Sequence, residues 1–332
     1  MYHDDVTSAF LNGIMGEKVL LDQPDGYIVG SAQQKWELQK TLYGLKQSPR
    51  EWNNTLYSFL TGQTFKQSKC DPCLYFNRTS KGTVLVGIYV DDIIATGSND
   101  HEVQEFRKQL KNRFKNSEGG VLDWCLGMKV VQSTEGIKIS QKQYILGKLE
   151  EFESHLKPNL KRLTPLDTYF QTLLVEAETS NEIEADFPYR SMVGSLSYAS
   201  TGTRPDIATA VGIVKRFLAN PKSIHCEMVR QIWYYLRQFP DSSLNYARTR
   251  SPNLIGYCDA SWANKENFSS ISGFAFILGS SLVAWSSKKQ PVIALSSTEA
   301  EYVTATSAAQ ESVWFSQLLA ELGYTQSTVT LY

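Results

Sequence analysis

The chain has no apolar run of about 18 residues or more, so nothing in it reads as a membrane span. No charged N-terminal region leads into an apolar core, so no secretory signal is read. Low-complexity tracts and internal repeats are also absent, which sets aside solenoid and tail-like architectures. An excess of positive charge is missing too: 33 Lys and Arg stand against 34 Asp and Glu, a net charge of −1. A chain that binds nucleic acid along one face is expected to be basic there. Here the basic residues are local, at Arg107, Lys108, Lys111, Arg113 and Lys115, and again at Lys157, Lys161 and Arg162. The first group reads as a solvated helix face, with a duplex path as the alternative. Cysteine is sparse, five in all, and scattered. Cys70-Asp71-Pro72-Cys73 has zinc-like spacing without a second pair or a histidine partner, so reduced thiols are the expectation.

What the chain does have is length and apolar mass. Its 332 residues are 42% hydrophobic, with 17 Tyr, 15 Phe and 7 Trp, enough for two or more domains with real cores. The most informative stretch is Tyr89-Val90-Asp91-Asp92. It interrupts a run that reads as buried β-structure, from Val84 to Ile88 before it and from Ile93 to Ala95 after it. Two adjacent carboxylates in such a run are costly unless paired or holding a metal. A hard cation at the apex of a β-hairpin, held for phosphate chemistry, explains them. An Asp-rich turn is the plainer alternative.

Two further segments weigh on that choice. Asp5-Val6-Thr7-Ser8-Ala9-Phe10-Leu11 opens a mainly apolar stretch with an Asp. Leu42-Tyr43-Gly44-Leu45-Lys46-Gln47-Ser48-Pro49-Arg50-Glu51-Trp52 reads as a loop entering a helix, with Gly44 allowing close backbone approach, Ser48 as cap and Pro49 first in the helix. Taken together and in this order, Asp5 to Gly13, Leu42 to Trp52 and Tyr89 to Asp92 resemble the reverse transcriptases of copia-type LTR retrotransposons. The resemblance implies that Asp5 and Asp91 bind both of two Mg²⁺ ions, or Mn²⁺ in their place, and that Asp92 completes the acidic cluster. Two ions about 3.5–4 Å apart need bridging carboxylates. One would activate the primer hydroxyl and the other neutralise the triphosphate and the leaving pyrophosphate. The resemblance also implies nucleotide contacts from Phe10, Tyr43, Gly44, Lys46 and Tyr89. Phe10 would pack on the sugar and exclude a 2′-hydroxyl, although most Phe residues are simply core.

Further along, Val103, Phe106, Leu110 and Phe114 are spaced for one apolar helix face after a break at Gly97 to Asp100. Leu126-Gly127-Met128 begins a strand pair that turns at Glu135-Gly136, and it resembles the primer-gripping hairpin of the family. Ser140-Gln141-Lys142-Gln143 reads as a capping box before a helix that carries Ile145, Leu149 and Phe152 on one face. Residues 158–188, with Pro158, Pro165, Pro188 and an acidic stretch from Glu176 to Asp186, read as a linker. From Tyr189 to about Leu236 the pattern is helical, broken near Pro205 and Pro221.

The remainder reads as a strand, Leu254 to Trp262, then strands Ser272 to Leu278 and Leu282 to Trp285 joined at Gly279-Ser280. A capping box at Ser296 to Glu299 opens a long helix ending near Gly323. Tyr257 to Ala263 and Ser296 to Tyr302 resemble the RNase H segment of the same family. That implies Asp259 and Glu301 as metal ligands, leaves Glu299 to capping, and treats Ser261 as non-essential where other members carry Asp.

The fold class expected is α/β (α+β): a reverse transcriptase palm over 1–157, a linker and helical thumb or connection region over 158–250, and an RNase H-like domain over 251–332. The implied partners are an RNA template, a DNA primer, RNA–DNA hybrid, deoxynucleoside triphosphates and other segments of a Pol polyprotein, with no membrane. The implied setting is a cytoplasmic virus-like particle with a later nuclear phase. Four residues precede Asp5 and the chain closes at Tyr332, so the expectation is a fragment cut within both enzyme units, weak or inactive in isolation. Competing readings are a catalytically dead relic that keeps at most nucleic-acid binding, and a two-metal nuclease outside the family, against which Leu42 to Trp52 argues. Phe10→Val or Phe10→Ala is expected to raise incorporation of ribonucleotides relative to deoxynucleotides, and an unchanged ratio would reject the gate.

Overall fold

Strand and helix follow from two periodicities in the chain: apolar residues at every second position, then at every third or fourth. The computed structural model describes residues 1–31, 33–114, 117–167, 186–248, 253–263, 269–326 and 328–332. The chain divides into two units, Met1–Leu122 and Asp123–Tyr332.

In the first unit come β1 (Tyr2–Val6), the hairpin β2 (Leu20–Asp22) and β3 (Lys35–Glu37), α1 (Ser48–Gly62), β4 (Lys66–Gln67), β5 (Leu74–Thr79), β6 (Gly82–Tyr89), β7 (Asp92–Gly97), α2 (Asp100–Arg113) and β8 (Ser117–Val121). Six strands form one antiparallel sheet in the order β4-β5-β6-β7-β1-β8. Val84, Val86, Ile93 and Ala95 alternate onto one face of it, where they meet Trp52, Leu56 and Leu60 of α1 and Val103, Phe106 and Leu110 of α2. Only that face is buried, so Asp91 and Asp92 are half-buried rather than sunk in a core. The Asn99 side chain caps α2 by accepting from the His101 amide at 3.0 Å. Asp100 and Glu102 in its first turn and Lys111 and Arg113 in its last complement the helix dipole.

Two expectations need correction here. Ser48 does not cap α1; the cap position is Gln47, and the Ser48 hydroxyl donates to the Leu42 carbonyl, closing the preceding loop. Nor is the basic stretch of α2 wholly a solvated face. Lys108, Lys111 and Arg113 are exposed, but Arg107 points inward, and Lys115 lies outside the described residues. The Arg107 guanidinium grips the fully buried Asp4 carboxylate, with Nε at 2.6 Å from Oδ2 and Nη2 at 3.0 Å from Oδ1. It also lies over the Tyr2 ring, 4.6 Å from its centroid. Gly119 on β8 leaves the room, since a Cβ there would collide with Asp4 Oδ1.

The second unit holds β9 (Trp124–Cys125), β10 (Met128–Gln132), β11 (Gly136–Ser140), α3 (Lys142–Glu151), α4 (Tyr189–Gly202), α5 (Ala208–Val214), α6 (Ser223–Gln238) and β12 (Leu244–Ala247). The strands pair in the order β12-β11-β10-β9. Ile145 and Leu149 of α3, and Phe152 at its C-cap, are buried among Met192, Leu196, Val211 and Trp233 of the following helices. The capping box at Ser140 is not formed: the cap position of α3 is Gln141, and Ser140 Oγ accepts from the Lys142 amide instead. Of the expected linker, residues 158–167 lie against α6, where Arg237 donates to the Leu160 carbonyl and the Arg162 amide to that of Tyr234. Its acidic stretch, apart from Asp186, falls outside the described residues.

The same unit continues with β13 (Leu254–Ser261), β14 (Ile271–Leu278), β15 (Ser281–Lys289), α7 (Ser297–Glu321) and β16 (Thr330–Leu331). β13, β14 and β15 are antiparallel neighbours, and β16 pairs parallel to β13, giving the order β15-β14-β13-β16. A parallel return needs a crossover element, which α7 supplies. It packs Ala308, Phe315 and Leu319 on Leu254 and Phe276. Ser296 does cap α7, accepting from the Glu299 amide at 3.1 Å, while the Glu299 carboxylate reaches the Leu295 amide at 2.7 Å rather than that of Ser296.

Replacing Asp4 by Ala would leave the Arg107 cation buried and unpaired. The expected loss is about 3–5 kcal/mol of unfolding free energy, read from urea denaturation; a loss under about 1 kcal/mol would mean the pair is not desolvated as described.

Candidate catalytic carboxylate sites

On β1 the pleat sends Tyr2, Asp4 and Val6 towards the helices, as the contacts of Tyr2 and Asp4 with Arg107 and of Val6 with the core show. His3 and Asp5 therefore occupy the open face. On β7, Ile93 and Ala95 are buried, so Asp92 shares that open face. The β1–β7 register sets Asp5 opposite Asp92 and His3 opposite Ile94. The Val6 amide donates to the Asp91 carbonyl at 3.0 Å, which makes the Val6 and Asp91 pair a hydrogen-bonded one. Asp5 and Asp92 then form the alternate, closer kind of pair, with Cα atoms about 4.5 Å apart. Like charges directly opposite destabilise a sheet. Part of the charge is met by His3, whose Nε2 lies 2.5 Å from Asp92 Oδ1.

Asp91 belongs to the two-residue turn between β6 and β7, closed by the Tyr89 and Asp92 pair. Val90, at the first central position, has φ +58°. Positive φ at that position alone is the pattern of a type II′ turn, a position glycine usually fills. The Trp52 indole of α1 donates to the Val90 carbonyl at 2.7 Å. The structure thus brings Asp5, Asp91 and Asp92 to one end of one hairpin. The donors are carboxylate oxygens, which suit a hard cation such as Mg²⁺. Among the described residues no group of three or more His, Cys, Asp and Glu is gathered into a cage. Mg²⁺ is commonly held by one or two carboxylates with water and phosphate oxygens, so the donor set fits it without a cage.

The expected nucleotide contacts fall on the same unit. The Phe10 and Tyr43 rings are in tilted contact, 5.0 Å between centroids and 57° between planes. The Thr41 hydroxyl donates to the Phe10 carbonyl and ties the two segments together. Gly44 has φ +89°, which justifies glycine in that loop. Lys46 and Tyr89 are exposed. Leu126, Gly127 and Met128 belong to the second unit. Leu126 and Gly127, with φ +48° and +74°, make the tight turn between β9 and β10. The Tyr198 hydroxyl of α4 donates to the Leu126 carbonyl and props it.

In the second unit, Cys258 faces the core under α7, and Asp259 alternates to the other face of β13. There Asp259, Ser261, Tyr257 and Tyr332 line a cavity of about 730 Å³ with Thr209 and Ile213 of α5. Glu301 is exposed, the fifth residue of α7, just past its first turn. The Cys258 thiol registers both acids: burial first, then the charges of Glu301 and Asp259, push its pKa above the ordinary range.

Sequence reasoning passed over His3, Asp4 and Trp52. The two-residue step from His3 to Asp5 was a legible signal for a shared face; the partners of Asp4 and Trp52, 103 and 38 residues away, had none.

Comparison with known proteins agrees with the fold and adds the lineage. Residues 1–166 match the family described as reverse transcriptase (RNA-dependent DNA polymerase). The chain is 38% identical to the retrovirus-related Pol polyprotein from transposon TNT 1-94 of Nicotiana tabacum, over 99% of this chain and 25% of that protein. It is 34% identical to the corresponding polyprotein from transposon RE1 of Arabidopsis thaliana, over 96% of this chain and 22% of that one. A putative transposon Ty5-1 protein of Saccharomyces cerevisiae is 33% identical over 92% of this chain and 99% of its own length. The chain therefore spans about a quarter of the two plant polyproteins. Among solved structures, the foamy viral protease-reverse transcriptase in complex with RNA/DNA hybrid matches all of this chain and 38% of its own, with a TM-score of 0.52 and 13% identity, a likeness of fold. The chain belongs to the reverse transcriptase family, within the Pol polyproteins of copia-type retrotransposons.

Proposed function

We propose that this chain carries out RNA-directed DNA synthesis with Asp5, Asp91 and Asp92, and RNase H-type cleavage with Asp259 and Glu301. The observation that supports the first part is the direct opposition of Asp5 and Asp92 beside a turn that presents Asp91. Bound Mg²⁺, or Mn²⁺, would supply activation of the primer hydroxyl and neutralisation of phosphate charge. The chain's own residues do the rest. Asp5 and Asp91 hold the ions, and Asp92, steadied by His3, completes the acidic cluster. Phe10, backed by Tyr43, lies against the sugar and rejects a 2′-hydroxyl. Gly44, Lys46 and Tyr89 border the nucleotide, and Leu126, Gly127 and Met128 hold the primer end.

The division of labour proposed is a palm over 1–157, a linker and thumb or connection region over 158–250, and the nuclease module over 251–332. The strand order β15-β14-β13-β16 with one parallel edge supports the last, as does the joint influence of Asp259 and Glu301 on Cys258. The foamy viral relative is seen with an RNA/DNA hybrid. On this reading RNA template, DNA primer, hybrid and deoxynucleoside triphosphates are the partners here too. Other Pol segments and a cytoplasmic particle, with a nuclear phase, belong to the same proposal.

The test is single-turnover extension of a primer on an RNA template, with enzyme in excess so that weak activity registers. Asp5→Asn is expected to cut the Mg²⁺-dependent rate by about a thousandfold or more. Its melting temperature, read alongside, separates loss of a metal ligand from loss of the fold. Equal rates in the variant and the parent would reject the assignment. For the second site, Glu301→Gln is expected to shift alkylation of Cys258 by iodoacetamide to lower pH, since one of the charges that raise the thiol is removed. An unshifted profile, followed peptide by peptide, would mean that the Glu301 charge does not reach the thiol.

A further inference from the structure

The tip of the β6–β7 hairpin carries strain without packing to hold it. Val90 is 43% exposed and Tyr89 60%. Yet Val90 has φ +58°, a conformation a β-branched residue keeps only when its surroundings enforce it. Among the described residues, two hydrogen bonds from outside the hairpin reach the Val90 and Asp91 backbone. One is the Val6 amide on the Asp91 carbonyl, at 3.0 Å, an extension of the β1–β7 ladder. The other is the Trp52 indole on the Val90 carbonyl, at 2.7 Å, and it comes from a helix.

Trp52 is built as a fixed anchor. It is 3% exposed, and its ring meets Phe114 edge-on at 5.2 Å and 74°. Its N–H can only donate, so if the turn moved away a buried donor would lose its partner. The peptide link is planar, so holding the Val90 carbonyl also holds the amide of Asp91. Both sides of the Asp91 backbone are then fixed, by α1 before it and β1 after it.

We propose that Trp52 is a positioning residue, whose indole N–H pins the left-handed Val90 and thereby fixes the backbone from which the Asp91 carboxylate projects beside Asp5 and Asp92. This rests on the reading of Asp91 as a metal-holding carboxylate. It assigns a role to the last residue of the Leu42 to Trp52 segment. It also gives that segment a second task besides bordering the nucleotide, the coupling of α1 to the acidic turn.

Trp52→Phe keeps an aromatic ring against Phe114 and removes the donor together with part of the indole. In the whole chain it is expected to speed hydrogen exchange of the Val6 amide about tenfold and to weaken Mn²⁺ binding several-fold by calorimetry. The maximal extension rate should fall about tenfold, with the nucleotide KM changed by less than about twofold. The second variant, Trp52→Phe with Val90→Gly, relieves the strain, because glycine takes positive φ freely. It should regain most of the lost exchange protection and Mn²⁺ affinity, which a merely packed tryptophan would not explain. Parent-like exchange and Mn²⁺ affinity in Trp52→Phe would overturn the proposal, and so would failure of Val90→Gly to restore either. A parent chain that binds no Mn²⁺ would instead sink the metal reading, and Val6 exchange would still decide whether Trp52 holds the turn.

Discussion

Everything at the polymerase-type site depends on the pairing of β1 with β7. Asp4 and Asp5 are neighbours of identical chemistry, and only the pleat separates their fates. Asp4 goes under the sheet to Arg107, while Asp5 goes to the open face opposite Asp92. A slip of one residue would exchange them, burying the wrong carboxylate and turning the other away from the turn. The Asp4–Arg107 pair is therefore more than a stabilising contact. In the native register it leaves the buried Arg107 cation paired and frees Asp5 for the open face. Gly119 completes the device by letting β8 close over Asp4.

The strain in the sheet is concentrated where the chemistry is proposed. Two carboxylates face each other across a non-hydrogen-bonded pair, and a valine sits in left-handed backbone beside them. Both arrangements oppose folding and both persist because the surroundings over-determine them. His3 and Trp52 are the visible compensations, one on the charge and one on the backbone. The second unit uses the same alternation more mildly. On β13 the pleat divides Cys258, under α7, from Asp259, in a cavity under α5.

Local patterns in the chain were legible where one residue type had one physical use. The helix carrying Val103, Phe106, Leu110 and Phe114, the turn at Gly279 and the stop at Gly323 all stand as read. Serine was less legible, because its hydroxyl can serve a cap or a nearby carbonyl equally well. Ser296 caps a helix, whereas Ser48 closes a loop and Ser140 bonds one residue short of a box. Arg107 was misread for a related reason: a charged residue among charged residues looks solvated until its partner, 103 residues away, is known. The acidic segments themselves were legible from spacing and family likeness. The opposition of Asp5 and Asp92 was not, because register between distant strands leaves no local mark.

Asp5, Asp91 and Asp92 are proposed to hold divalent metal, on which the synthesis depends. The measurement that tests this most directly is anomalous scattering from crystals of this chain grown with primer–template, an incoming deoxynucleotide and Mn²⁺. Metal held as proposed gives anomalous peaks within coordination distance of Asp5 and Asp91, at the end of the β6–β7 hairpin. Ordered nucleic acid with no peak at those carboxylates, or with Mn²⁺ bound elsewhere, would contradict the proposal.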